Sequence, residues 1–434
     1  MYRSAIEKLK MWKNKKNRKP LIINGARQVG KTWLMKEFGR LEYENTVYIN
    51  MDRNPIAAKI FEGNYDIKRI IRELEIYSDK KIDSSNTLII LDEIQEVPTA
   101  LSSLKYFYEN APEYNIVCAG SLLGIALHEG ISFPVGKTDS IALYPLSFKE
   151  FLIALGNDSL ASVIDDREYD ILSSFNSRYI ELLKTYYYVG GMPEVVDSYI
   201  NDKDFNLVRE IQNRILADYE NDFSKHAPSN IVPRIRGLWH SIPSQIAKKN
   251  KKFIYGLIKE GARAREYEEA LMWLSDCGLV YKVSRCSKPL LPLRFYEDLK
   301  AFKLYIVDVG LLGAMTGLSA EAIIQGNDIF TSFKGALTEE YALMQLKSET
   351  SLNIYYYTND KSTLEIDFLL DNGSRVVPLE IKAEENLKAK SLKSFIDKNG
   401  VKLAVRSSMA DYKKEEVILN LPLYAISNIE NELK

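Results

Sequence analysis

The apolar positions of this chain fall into two periods. Short β-branched runs bounded by polar residues predict buried strands at Leu21–Asn24, Thr46–Met51, Thr87–Leu91, Asn115–Ala119 and Ile141–Tyr144. Helical stretches separate most of these runs, and that alternation predicts a parallel sheet covered on both faces. Residues 1–19 predict a short helix with Ile6, Leu9 and Trp12 on one face. The basic segment Lys13–Lys19 follows, either a solvated linker or a contact for phosphate.

Beyond Phe148 the period is mostly helical as far as Ile231. Ile171–Val189, with Tyr186, Tyr187 and Tyr188, predicts a core helix that Gly190 and Gly191 end; Phe205–Tyr219 predicts another. Between Pro233 and Ser287, Ile242–Ile246 predicts the opening of a helix and Ala262–Ser275 a second, with Tyr267, Ala270, Leu271 and Leu274 on one face. Gly278–Arg285 then reads as a wing strand, which together make a winged helix. The last third predicts a helix at Gly335–Leu346 and strands at Tyr355–Thr358, Thr363–Leu370 and Val376–Ile381.

Composition narrows this picture. A chain of 434 residues exceeds a single core, so several domains are expected. Hydrophobic content of 46% with 27% charged residues is an ordinary globular balance. The formal net charge of −1 gives no global field, so a nucleic-acid surface would have to be a local basic patch. Cys118, Cys277 and Cys286 form no C-x-x-C pair, and His128, His226 and His240 are scattered, which argues against zinc and for a reducing cytoplasm. The Lys-rich N-terminus does not read as a secretory signal, and no apolar run approaches the ~18 residues of a membrane span.

The chemistry starts where the first predicted strand ends. Gly25-Ala26-Arg27-Gln28-Val29-Gly30-Lys31-Thr32 is G-x-x-x-x-G-K-T between a strand and a helix predicted over Thr32–Phe38. The glycines let the backbone curl so that several N–H groups aim at one anion, and the helix N-terminus adds to the pull. Lys31 would reach the β- and γ-phosphates of ATP, and the Thr32 hydroxyl would hold Mg²⁺. A second Gly136-Lys137-Thr138 has Ile131 where the first glycine belongs, and is discounted. Thr87–Leu91 runs into Asp92-Glu93: Asp92 would orient Mg²⁺, and Glu93 would take a proton from the attacking water. Ser121, after the fourth strand, either senses the γ-phosphate or caps the next helix.

These motifs, with Leu143-Tyr-Pro-Leu-Ser-Phe-Lys-Glu-Phe151, Gly190-Gly-Met-Pro-Glu194 and Phe302-Lys-Leu-Tyr-Ile-Val-Asp-Val-Gly310, resemble bacterial and archaeal AAA-type P-loop ATPases that carry a C-terminal domain of unknown function with a restriction-endonuclease-like core. The resemblance implies a central sheet of order 5-1-4-3-2. It divides the α/β chain into an AAA-like ATPase domain (1–150), a helical lid (151–231), a winged helix (232–300) and a restriction-endonuclease-like domain (301–434). AAA-like sites often borrow a basic residue from a neighbouring subunit, so a homo-oligomer is expected, with Lys137, Arg209 and Arg214 as candidates.

Two further residue sets carry chemistry. Lys248, Lys249, Lys251, Lys252, Arg263 and Arg265 form a basic patch beside the winged helix, suited to a DNA backbone or to a protein partner. Asp367, then Glu380-x-Lys382 on the next strand, resembles a restriction-type nuclease site. Glu380 and Lys382 share a strand face, and Glu340, or Glu339, would complete the set from the preceding helix. The competing reading is a retained scaffold that binds without cutting. Two functions therefore stand side by side: an ATPase that controls DNA binding or cleavage, and a nucleotide-controlled switch that holds a protein partner.

Overall fold

The structure, a computed structural model, describes residues 1–120, 134–247, 252–323, 328–359, 364–385 and 388–433, without the side chains of 328–332. It divides into two compact units. One is Tyr2–Tyr144 with Asp276–Gly278; the other is Pro145–Ser275 with Leu279–Lys434.

The first unit is built on strands β1 (Leu21–Asn24), β2 (Asn45–Asn50), β3 (Thr87–Asp92), β4 (Asn115–Ala119) and β5 (Asp139–Ala142). They form one parallel sheet in the order β2-β3-β4-β1-β5, the order expected from the sequence. β5 begins two residues earlier than predicted, because Asp139 pairs with Leu21 at the edge of the sheet. Every residue of β3 and β4 is buried, which explains why these strands read as continuous apolar runs.

On one face, helix Ile67–Ser78 buries Ile67, Ile70, Ile71 and Leu74 at i, i+3, i+4 and i+7 against Ile49, Ile89 and Leu91. Helix Lys31–Glu42, longer at both ends than the predicted Thr32–Phe38, packs against β2, β3 and β4, and its Phe38 meets Trp12 edge-on.

The second unit opens with helices. Ser147 and Glu150 form a reciprocal cap on helix Phe148–Ala154: the Ser147 amide donates to Glu150 Oε2 at 3.0 Å, and the Glu150 amide donates to Ser147 Oγ at 3.3 Å. Helix Asn176–Val189 buries all three consecutive tyrosines and stops at Gly190, whose φ is +74°. Helix Phe205–His226 runs seven residues past its predicted end.

Helix Val232–Ile246 corrects one expectation. Ile242–Ile246 closes a helix instead of opening one. Pro233 takes the first-turn place, and Pro243 lies inside the last turns.

The eight-stranded sheet of this unit has the order β12-β13-β11-β10-β9-β8-β6-β7, with β6 Val280–Cys286, β7 Glu297–Ile306, β8 Asn353–Thr358, β9 Glu365–Asp371, β10 Val376–Ile381, β11 Ala404–Ser408, β12 Lys413–Lys414 and β13 Ile418–Pro422. The predicted wing strand is β6. It pairs antiparallel with β7 and parallel with β8, so the hairpin continues the C-terminal sheet, and a boundary at 300/301 passes through β7.

Asp308 locks two of the sequence signatures together. Its carboxylate accepts the amides of Gly191 at 2.6 Å and Leu311 at 3.0 Å. A Cβ on Gly190 would come within 2.1 Å of Asp308 Oδ1, which accounts for the paired glycines. Burial pushes the Asp308 pKa up to about 6, against the pull of those amides.

Candidate nucleotide site and a carboxylate cluster

The loop after β1 has the backbone that its glycines were expected to supply. Gly25 has φ +149° and Gly30 +90°, and Gln28 sits in the left-handed region at +66°. At Gly25 there is a second constraint: a Cβ there would stand 2.2 Å from the Leu143 carbonyl oxygen. Ala26 and Val29 are buried, whereas Arg27 is exposed. Arg3 steadies the loop from outside the motif, donating to the carbonyls of Val29, at 2.9 Å, and Tyr144.

Lys31 is buried and donates to the carbonyls of Gly25 at 2.9 Å and Ala26 at 2.7 Å. Burial lowers its pKa to about 8, with Glu93 and Asp92 acting in the opposite direction. The Thr32 hydroxyl donates to Asp92 Oδ2 at 2.6 Å, and the Glu93 amide donates to Asp92 Oδ1 at 3.1 Å. Hydroxyl and carboxylate oxygens brought together beside a phosphate loop are the donor set a hard cation takes, so these residues fit Mg²⁺. Glu93 has a left-handed backbone, φ +51°, and its Oε2 accepts from Gln95 Nε2 at 2.7 Å.

Two residues near this site were not expected. The Tyr48 hydroxyl reaches Asp92 Oδ2 at 3.0 Å, and Gln95 holds Glu93. The available signal for Tyr48 was a polar group near the C-terminal end of the strand beside β3. Ser121 lies outside the described residues.

The acidic residues of the second unit gather around a lysine the sequence reading left unassigned. Lys303 on β7 is 1% exposed and pairs with Glu339 at 3.1 Å and Glu365 at 3.0 Å. Tyr305 donates to the same Glu339 oxygen. Burial alone would lower the Lys303 pKa, but Glu339, Glu365 and Asp367 outweigh it and hold the ammonium above the ordinary lysine value. A lysine inside the apolar run Phe302–Val307 was the signal available. Glu340 is buried on the same helix as Glu339, and both lie near Tyr305.

Pairing of β9 with β10 runs to Leu379 opposite Phe368. Continuing that register sets Glu380 opposite Asp367, on one face. Asp367 Oδ2 accepts the Ile381 amide at 2.8 Å, and Glu380 Oε1 pairs with Lys382 at 2.6 Å. Glu380 Oε2 is buried and has no hydrogen-bond partner among the described residues. A divalent cation would satisfy that orphaned oxygen, although among the described residues no group of three or more acids, histidines or cysteines is placed to hold one.

Of the basic patch, Lys252, Arg263 and Arg265 are exposed; Lys248, Lys249 and Lys251 lie outside the described residues. The candidates for a borrowed cation are engaged within the chain. Arg209 donates to Gln212 at 2.7 Å and to the Leu318 carbonyl at 2.8 Å and lies over the Tyr188 ring. Arg214 pairs with Glu194, and Lys137 pairs with Glu109 at 2.9 Å. The described residues contain no helix long and apolar enough to cross a membrane.

Comparison with known proteins adds three matches to family models. Residues 17–152 match a model described as an AAA domain. Residues 180–322 and 334–426 match two models, each described as a domain of unknown function. An uncharacterized protein of Haemophilus influenzae is 27% identical over 184 residues, which is 40% of this chain and 40% of that protein, so the match spans about two fifths of the relative's length. Among solved structures, the Walker-type ATPase of Pyrococcus abyssi aligns with a TM-score of 0.44 at 15% identity, covering 72% of this chain and 94% of that one. The Aeropyrum pernix ORC1 protein in complex with DNA aligns at 0.27 and 12% identity, covering 72% and 90%. At such scores these two likenesses carry no weight for the site. Residues 17–152 are thus similar to an AAA domain, and the positive-φ glycines after β1 and the Thr32–Asp92 hydrogen bond lie within them.

Proposed function

We propose that this chain is a Mg²⁺-dependent ATP hydrolase whose nucleotide cycle controls what its C-terminal residues bind. The observation that carries the reading is the Thr32–Asp92 hydrogen bond beside a phosphate loop of the right backbone. Loop amides from Gly25 to Thr32 and the Lys31 ammonium would bind the phosphates. To do so, Lys31 would leave the two loop carbonyls it now holds. Thr32 and Asp92 would hold Mg²⁺, which neutralises phosphate charge when bound. Glu93 would accept the proton of the attacking water, and Gln95 would fix its carboxylate. The test is ATP turnover by the full chain with and without Mg²⁺, beside Lys31→Ala. Metal-independent turnover, or turnover that survives Lys31→Ala, rejects the reading.

For the target of that control, the first reading is DNA, bound through the winged-helix segment and cut at a restriction-endonuclease-like site of Glu340, Asp367, Glu380 and Lys382. Arg263 and Arg265, exposed beside the N-terminus of helix Ala264–Asp276, favour an anion there. The buried, unbonded Glu380 oxygen favours a cation. A second reading, a switch that holds a protein partner, is favoured by the ion pairs that already occupy Glu339, Glu365 and Glu380. Metal-dependent cleavage of duplex DNA that Asp367→Ala and Lys382→Ala each abolish supports the first. Salt-insensitive or absent DNA binding with intact ATP turnover supports the second.

A further inference from the structure

We propose that Tyr48 is a positioning residue for the cation: its hydroxyl holds the Asp92 carboxylate in the orientation that receives Mg²⁺ with the nucleotide. This rests on the Mg²⁺–ATP reading of the loop after β1.

Asp92 Oδ2 accepts two hydroxyls from two different elements, Thr32 at 2.6 Å and Tyr48 at 3.0 Å. Strands β2 and β3 pair with Tyr48 beside Ile90 and Asn50 beside Asp92, so the phenol reaches diagonally two residues up the neighbouring strand. Lys36 Nζ stands over its ring, 3.8 Å from the centroid. Tyr48 thus bridges the helix that follows the phosphate loop and the strand that ends in Asp92.

The two hydroxyls are not equivalent. Thr32 would have to serve both the carboxylate and the cation. Tyr48 has one proton to give, and gives it to Asp92. A carboxylate on the end of a strand can turn about its last torsion, and an oxygen that swings away no longer presents to the cation. Hydrogen bonds to metal-binding carboxylates set this orientation, and their loss typically costs about 10–100-fold in metal affinity. If Tyr48 only filled space beneath β2, phenylalanine would replace it without effect.

The experiment compares the full chain with Tyr48→Phe and Asp92→Asn. Mn²⁺ binding in the presence of saturating ADP is followed by electron paramagnetic resonance. ADP affinity is measured separately in chelator, and thermal stability by calorimetry. The proposal expects Tyr48→Phe to weaken Mn²⁺ binding about tenfold while leaving chelator-phase ADP affinity and Tm unchanged. Wild-type Mn²⁺ affinity in Tyr48→Phe, with a loss in Asp92→Asn, overturns the role of Tyr48 and leaves the Mg²⁺–ATP reading standing. Equal losses in Mn²⁺ affinity, ADP affinity and Tm assign Tyr48 a purely structural role and also overturn it. Unchanged Mn²⁺ affinity in Asp92→Asn overturns the underlying reading and this proposal with it.

Discussion

The Thr32 hydroxyl donates a 2.6 Å hydrogen bond to Asp92 Oδ2 across 60 residues of sequence. Neighbouring parallel strands in the order β3-β4-β1 bring the ends of two loops to one side of the sheet, where each supplies an oxygen. Chemistry at this site therefore depends on the sheet order as much as on either motif.

Glu93→Gln should keep ATP binding and lose turnover by about 10²–10⁴-fold, because an amide cannot take a proton from water. Equilibrium binding of a fluorescent ATP analogue beside steady-state phosphate release checks both halves. Turnover equal to that of the unchanged chain would remove Glu93 from the mechanism.

ATP affinity should fall as pH rises above about 8, the pKa to which burial lowers Lys31 in the nucleotide-free loop. The polyphosphate prefers the ammonium, so above that pH each binding event must take up a proton. The dissociation constant should then grow by up to about tenfold per pH unit. Calorimetric titration in buffers of different ionisation enthalpy reads the proton uptake directly, and Lys31→Ala should show neither weak point nor uptake.

Gly25→Ala should destabilise the nucleotide domain by at least about 2 kcal/mol and abolish ATP binding. The added methyl would meet the Leu143 carbonyl oxygen at 2.2 Å, in a backbone conformation at φ +149° that side chains rarely adopt. Chemical denaturation and nucleotide binding measure the two effects.

Lys303→Met should cost about 3–5 kcal/mol, since it leaves buried carboxylates without their cation. Restoring part of that loss with a second change, Glu339→Gln, would show that charge and not packing sets the cost. Urea unfolding of the single and double variants provides the cycle.

Asp308 should give stability a pH dependence of unusual sign. Its folded pKa, raised to about 6 from 3.8, means that the folded chain binds the extra proton between those values. The stability it contributes is full below about pH 4 and is lost as pH rises through about 6. The stability of the unchanged chain minus that of Asp308→Asn should therefore fall from pH 4 to pH 7; a value that rises would refute the assignment.

By itself the sequence determined the parallel nucleotide sheet, its strand order through the family resemblance, and the roles expected of Gly25–Thr32, Asp92 and Glu93. Those features are local: a fully buried strand must be apolar along its length, and a loop that curls around phosphate needs glycine where a Cβ would strike the Leu143 carbonyl. Ile242–Ile246 closes a helix instead of opening one, because the buried face of Ile235, Leu238, Trp239, Ile242 and Ile246 runs on through Pro243. What only tertiary structure decided is pairing between distant residues. Tyr48 becomes a partner of Asp92 through strand register, and Lys303 becomes the counter-ion of Glu339 and Glu365 because β7 joins the C-terminal sheet. The same packing turns Arg209 inward, onto Gln212 and the Leu318 carbonyl. A lone tyrosine or lysine carries no periodic signal; its meaning is set by which charge the fold buries beside it.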